Sequence, residues 1–227
     1  MSRKTFDYSQ IDNSFHSFFA HIARLFAWIY FKFWYFLMVK VALGNNTDLE
    51  HVFAMPGSTV VFVNHQAQED HFLLRMHLGF PMRFMMNERQ FRRFNNRDLS
   101  WLLTAGGAIP VPKKDSLQSH KRMFSYVRKL MVKKEIIVVY AQAGRFNSDT
   151  EITCPKAILR YLEHADNMVI AGIAGTQMPK DIKFGRRKLA IHVHKFKKLL
   201  GERDAISIEY IQTQLTFARS CAQELLK

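Results

Sequence analysis

Five short runs rich in β-branched and other apolar residues recur along the chain, at Thr59–Val63, Ile136–Tyr140, Met168–Ile173, Leu189–Val193 and Ile206–Ile211. Each has the length and make-up of a strand. The stretches between them have helical spacing instead. Within 117–134, Phe124, Val127 and Met131 fall on one stripe, while Lys121, Arg128 and Lys129 take other positions. Leu99–Leu103, Pro155–His164 and Gln212–Leu226 also read as helices, the last with Leu215, Ala218, Ala222 and Leu225 on one face. Strands alternating with helices predict an α/β fold, a central mixed sheet covered by helices. At 227 residues the chain fits one domain with at most a short appendage. That is enough to bury a core without disulfides. Cys154 and Cys221 form neither a CxxC pair nor a disulfide framework.

Ahead of these runs, residues 16–43 read HSFFAHIARLFAWIYFKFWYFLMVKVAL, and bulky apolar side chains outnumber polar ones. The most apolar part, Leu25–Val39, is interrupted by Lys32 and is shorter than a spanning helix requires. On a helix, Arg24, Lys32 and Lys40 can share a polar side. Trp28, Tyr30, Trp34 and Tyr35 are residue types that settle at headgroup level. The segment therefore reads as an amphipathic helix lying in, or half inserted into, a membrane interface. The competing reading is a helix packed on the chain's own core. A signal peptide is disfavoured, because the apolar run starts after Asp7 and Asp12 and no small-x-small site follows cleanly. The expected division is a membrane-anchoring segment over 1–46 and a globular domain over 47–227, with the boundary in Gly44–Glu50.

Charge narrows the choice of partner. Lysine and arginine total 33 against 19 acidic residues, a net charge of +14. The cations cluster in Arg83–Arg97, Lys113–Lys134 and Lys180–Lys198, opposed only by Glu88, Asp115 and Asp181 respectively. Such clusters suit an anionic lipid surface or an acidic carrier protein. Nucleic acid would call for a stacking sheet, a recognition helix or a finger as well, and no such signature is present.

One pair of residues points to chemistry. The strand Ser58–Val63 runs directly into Asn64-His65-Gln66-Ala67-Gln68-Glu69-Asp70, followed by an apolar-rich stretch. A histidine at a strand's C-terminal end lies at the sheet edge where α/β proteins bind ligands. On one continuous helix the two side chains would point about 140° apart. With His65 in a turn and Asp70 in the first helical turn, the carboxylate can reach back to the imidazole. It would accept Nδ1–H, fix the tautomer and leave Nε2 to take a proton from a substrate hydroxyl. The spacing alone is common, and a surface histidine beside a helix-starting aspartate has it too. His192 and His194 share one face of an expected strand, but spacing supplies no third metal ligand. No cofactor is expected.

Asn64–Asp70 after a hydrophobic strand resembles the HX4D motif of the glycerolipid acyltransferase family, which includes the 1-acylglycerol-3-phosphate acyltransferases of phospholipid synthesis. The resemblance continues in order over roughly Val52–Thr176. Phe84–Phe91 looks like the segment between the family's first two motifs, and Gly107–Lys113 is similar to its second motif. Val138–Arg145 sits where the family has a hydrophobic strand and Phe-Pro-Glu-Gly-Thr-Arg, and Val169–Ile173 occupies the place of the last short motif. The chain departs from the pattern at several points. Lys113 stands for an arginine, Gln142 for the glutamate and Ala143 for a glycine, and proline is absent before Gln142 and from the last motif. Lysine keeps the charge but loses the bidentate phosphate fork.

The resemblance implies a membrane-associated enzyme at the cytoplasmic face of the inner membrane. It would move a fatty acyl group from acyl-CoA or acyl carrier protein to the hydroxyl of a lysophospholipid or lysophosphatidate. His65 and Asp70 would be catalytic, and Asn64, Lys113, Gln142, Gly144 and Arg145 would bind substrate. No serine or cysteine nucleophile is needed, in keeping with the lack of a G-x-S-x-G elbow. The altered positions leave open an acceptor that is non-phosphorylated or an amino-acid lysolipid, or a catalytically dead lipid-binding relative.

Overall fold

In the computed structural model, four of the five apolar runs are strands at the middle of one sheet. The structure describes residues 8, 11, 13, 16–22, 24–26, 29, 33, 39–44, 56–66, 70, 71, 74, 75, 82–93, 103–112, 117–142, 151–175, 187–199 and 201–227. The strands are β1 (Val39–Gly44), β2 (Thr59–Val63), β3 (Met82–Asn87), β4 (Ala108–Val111), β5 (Ile136–Tyr140), β6 (Asn167–Ala174) and β7 (Arg187–Lys198). The labelled helices are α1 (Glu88–Arg93), α2 (Leu117–Val132) and α3 (Ile208–Glu224), with short 3-10 turns at Lys156–Tyr161 and Arg203–Ala205. The seven strands are ordered β1-β7-β6-β2-β5-β3-β4. All neighbours are parallel except β6 and β7, so the sheet is mixed, as the alternation of elements predicts.

Alternation along the central strands divides the core in two. Val60 and Phe62 of β2, Ile137 and Val139 of β5, and Met168 and Ile170 of β6 face one layer. Their neighbours Val61, Val63, Val138, Val169 and Ala171 face the other. The first layer is closed by α2, whose buried Met123, Tyr126, Val127, Leu130 and Met131 recur at helical spacing. It is also closed by α3 through Ile211, Leu215 and Ala218. Gly172 of β6 allows that close approach, since a Cβ there would lie 2.2 Å from the Ala218 carbonyl. Any side chain at 172 would push α3 off the sheet.

Three expectations are corrected. Ile206–Ile211 is no strand, because Ser207 caps a helix there by accepting from the Tyr210 amide at 3.1 Å. The helical spacing that continues to Ala222 outweighs the β-branched start. The end of the aromatic segment is no helix, because Val39–Gly44 pairs in parallel with β7 from Val39↔Arg187 to Gly44↔His192. The sheet thus takes a strand from residues ahead of the expected division at 46/47. Leu225, expected on the buried face of α3, is the exposed C-cap.

The N-terminal residues pack in an unusual sense. Tyr8 donates its hydroxyl to the Pro110 carbonyl at 3.0 Å, and Ile11 is buried in the first core layer. The helical residues 18–22, 24–26, 29 and 33 follow. Their polar and small side faces the protein: Ala20 is fully buried and Arg24 donates to the Ala105 carbonyl at 2.9 Å. Phe18, Phe19, Ile22, Leu25, Phe26, Ile29 and Phe33 are exposed, the first two at 72% and 71%. At about 100° per residue these seven span about 120° of one face. No helix among the described residues is long and apolar enough to cross a membrane. Trp28, Tyr30, Lys32, Trp34 and Tyr35 lie outside the described residues.

Candidate active site

Strands β2, β5 and β6 run in parallel with β2 in the middle, so their C-terminal ends open at one edge of the sheet. The segment after β2 leaves the ladder there, and its first residue, Asn64, ties the edge together. The Asn64 side chain donates Nδ2 to the Ile173 carbonyl at 2.9 Å and accepts from the Ile173 amide at 2.7 Å. Asn64, read from the sequence as a substrate contact, is fully buried and gives both ends of its amide to β6. What it does here is anchor the backbone from which His65 projects.

His65 and Asp70 are brought together. Nδ1 of His65 lies 2.8 Å from Oδ2 of Asp70, and the same oxygen accepts from the Gln66 amide at 2.8 Å. A carboxylate oxygen has no proton to donate, so it accepts both contacts: Nδ1 carries the proton and Nε2 of the neutral ring keeps its lone pair. Asp70 is completely buried, whereas the His65 side chain is 18% exposed. The anion is therefore shielded and the basic nitrogen belongs to the half of the pair that solvent reaches. This arrangement can accept a proton and stabilise the imidazolium that results.

Two residues from β5 and its end complete the surroundings of His65. Gln142, two positions past the strand end, accepts the His65 backbone amide on Oε1 at 3.2 Å and is only 2% exposed. Tyr140 stacks on the imidazole, with ring centroids 4.2 Å apart and planes inclined by 28°. Its position follows from register, since Tyr140 pairs with Val63, two residues ahead of His65. Burial, helped by the charge of Asp70, holds the Tyr140 phenol well above its ordinary pKa, so it stays neutral. Sequence reasoning missed Tyr140. The signal that could have found it is the parity of a strand end, which needs the β2–β5 register to be known.

Lys113, Gly144 and Arg145 lie outside the described residues. The cation cluster of Arg83–Arg97 is not all surface, because Arg83 is buried completely and bound to Glu135 by Nε–Oε2 at 2.6 Å and Nη2–Oε1 at 3.3 Å. It is a core ion pair, not part of an anion-binding surface. Glu135 reaches it because α2 ends with Lys134 in the left-handed region, at φ 60, with Glu135 N–H returning to the Leu130 carbonyl. Arg75, a helical residue like Asp70, donates to the Gly106 carbonyl, and burial beside Arg24 and Arg83 lowers its pKa to about 10. His192 and His194 stack on β7, and His194 Nε2 meets Gln214 Oε1 at 3.0 Å. Burial pushes the Cys154 thiol up to about 11, which leaves it a poor nucleophile near neutrality.

No family model matches the sequence, and no curated protein matches it. Among solved structures, the chain is similar to the crystal structure of the 1-acyl-sn-glycerophosphate (LPA) acyltransferase PlsC from Thermotoga maritima. The TM-score is 0.61 at 16% identity, over 97% of this chain and 90% of that one. The likeness is one of fold.

Proposed function

We propose that this protein is a membrane-associated acyltransferase acting on glycerolipids. It would transfer a fatty acyl group from acyl-CoA or acyl carrier protein to the hydroxyl of a lysophospholipid or lysophosphatidate. The observation that carries this reading is the His65 Nδ1–Asp70 Oδ2 contact of 2.8 Å at the C-terminal edge of the sheet. The fold likeness to an LPA acyltransferase supports it.

In this mechanism the acceptor hydroxyl gives its proton to His65 Nε2 while its oxygen attacks the thioester carbonyl carbon. The carbonyl π pair moves onto oxygen, forming a tetrahedral oxyanion. Collapse re-forms the carbonyl, breaks the C–S bond and releases a thiolate, which takes the proton from the imidazolium. Asp70 stabilises the charged ring throughout. Lys113 and Arg145, with the Gly144 backbone, would neutralise a phosphate on the acceptor. The outward apolar face at Phe18–Phe33 would lie in the leaflet that holds the lysolipid, on the cytoplasmic side of the inner membrane.

The test uses the purified full chain on phosphatidylglycerol–phosphatidylethanolamine vesicles, with radiolabelled acyl-CoA or acyl carrier protein and a panel of lysolipids. Transfer should appear with at least one pair and vanish in His65→Ala. Vesicle binding without transfer for any pair would instead mark a catalytically dead lipid-binding relative. Transfer confined to acceptors without phosphate would move the substrate to a non-phosphorylated or amino-acid lysolipid, the reading that Lys113 and Gln142 favour.

A further inference from the structure

An acyl transfer driven by His65 still needs something to hold the negative charge that develops on the carbonyl oxygen. The buried carboxylate of Asp70, beside the imidazole, makes that need greater, because it repels a second anion. Gln142 has a side chain at this edge whose free polar end is unexplained. Its Oε1 is committed to the His65 amide, and since an N–H can only donate, the atom facing it must be the oxygen. The orientation of the amide is fixed by that bond. Nε2 is therefore the remaining end, and it is buried with no hydrogen-bond partner among the described residues. The Tyr140 hydroxyl is in the same position, but no bond fixes where its proton points. A buried amide donor left unpaired costs about 1–3 kcal/mol, so such a group in a folded protein calls for an explanation.

We infer that Gln142 is a catalytic residue of the proposed transfer, its Nε2–H donating to the thioester carbonyl oxygen as that oxygen becomes an oxyanion. This rests on the reading of His65 as the base. The chemistry of the group selects the carbonyl oxygen over the acceptor's hydroxyl. An amide N–H can only donate, and donation to the hydroxyl oxygen would draw off the electron pair that must attack. A carboxylate here, as in the family that this stretch resembles, could still accept the His65 amide but has no N–H to give. The amide keeps the structural bond and supplies a donor in the same side chain.

The experiment is steady-state acyl transfer by the full chain on the vesicles above, comparing the native protein, His65→Ala, Gln142→Glu and Gln142→Met. Circular dichroism and thermal melting check that each variant folds. The expected result is native transfer, none in His65→Ala, and in both Gln142 variants a kcat lower by about 10²–10³, the usual loss for one oxyanion donor. KM for donor and acceptor should stay within about twofold, because the bond forms only in the transition state. If His65→Ala is inactive but the Gln142 variants keep native kcat, or change only the acceptor KM, the acyltransferase reading stands and this inference is overturned. If the native protein transfers nothing, both fall together.

Discussion

Two regions of this molecule break the ordinary rule of burial in opposite directions. At the C-terminal edge of β2, β5 and β6 the polar residues are inside: Asn64, Asp70 and Gln142 are each at most 2% exposed. Along the N-terminal helical residues the apolar ones are outside, with Phe18, Phe26 and Phe33 each more than half exposed. Scattered exposed leucines or surface histidines carry little information, but a cluster of buried polar groups or a continuous apolar face does. The two clusters call for different complements. The buried polar set is largely self-satisfied, around one nitrogen that can take a proton, so it suits a reaction. The apolar face is left outward by the packing of the opposite side, so it suits an apolar surface from outside. Placed on one chain, they are what the proposed transfer to a membrane lipid requires.

Substitutions can break or sharpen this contrast. The largest effect is expected at the buried polar edge, where Asp70→Asn should lower transfer by about 10²–10⁴ through loss of the correct tautomer and of imidazolium stabilisation. Vesicle flotation should be unchanged; near-native turnover in Asp70→Asn would remove the chemistry from this edge. Next comes a buried polar pair with no part in the reaction. Glu135→Ala strips the carboxylate from the buried Arg83 guanidinium and should cost about 3–5 kcal/mol in urea unfolding. A loss below about 1 kcal/mol would show that Arg83 does not depend on that partner. At the apolar face, Phe18→Ser with Phe26→Ser should weaken vesicle binding about tenfold or more for each ring, from about 1.5–3 kcal/mol of burial apiece. Stability without vesicles should move by no more than about 0.5 kcal/mol. If urea unfolding shifts strongly instead, that face packs on protein. The smallest effect is at Tyr140, where Leu should lower kcat/KM about fivefold by loss of the stack, while Phe, which keeps the ring, should not.

Much of the central sheet is legible in the sequence, and for a local reason. Strand character at Thr59–Val63, Ile136–Tyr140, Met168–Ile173 and Leu189–Val193 is written in short runs that need no knowledge of their neighbours. Ile206–Ile211 misleads because β-branched residues also open α3, where the Ser207 cap and the docking at Gly172 decide the matter. Val39–Gly44 misleads because an edge strand next to an aromatic segment carries no break in composition. At the candidate site, the His65–Asp70 pairing can be foreseen because an aspartate five residues past a strand-end histidine is close enough in the chain for its carboxylate to reach back to the ring. Gln142 is legible only by resemblance, and its bond to the His65 amide spans 77 positions of the chain.

What the sequence determined by itself is what periodicity and close spacing encode: most of the alternation of elements, most of the apolar stripes of α2 and α3, and a histidine with its aspartate at a strand end. What only the tertiary structure decided is which way those features face and what meets them. Helical spacing defines an apolar side at Phe18–Phe33 but does not say that the opposite side, with Ala20 and Arg24, is the one that packs inward. A run of arginines does not announce that Arg83 turns into the core to meet Glu135. Strand order and register put Tyr140 against the imidazole and Gln142 on its backbone amide, and order and register arise from packing between segments distant in the chain. Local sequence sets the preferences of each segment. The free energy that chooses between their arrangements comes from contacts no single segment contains.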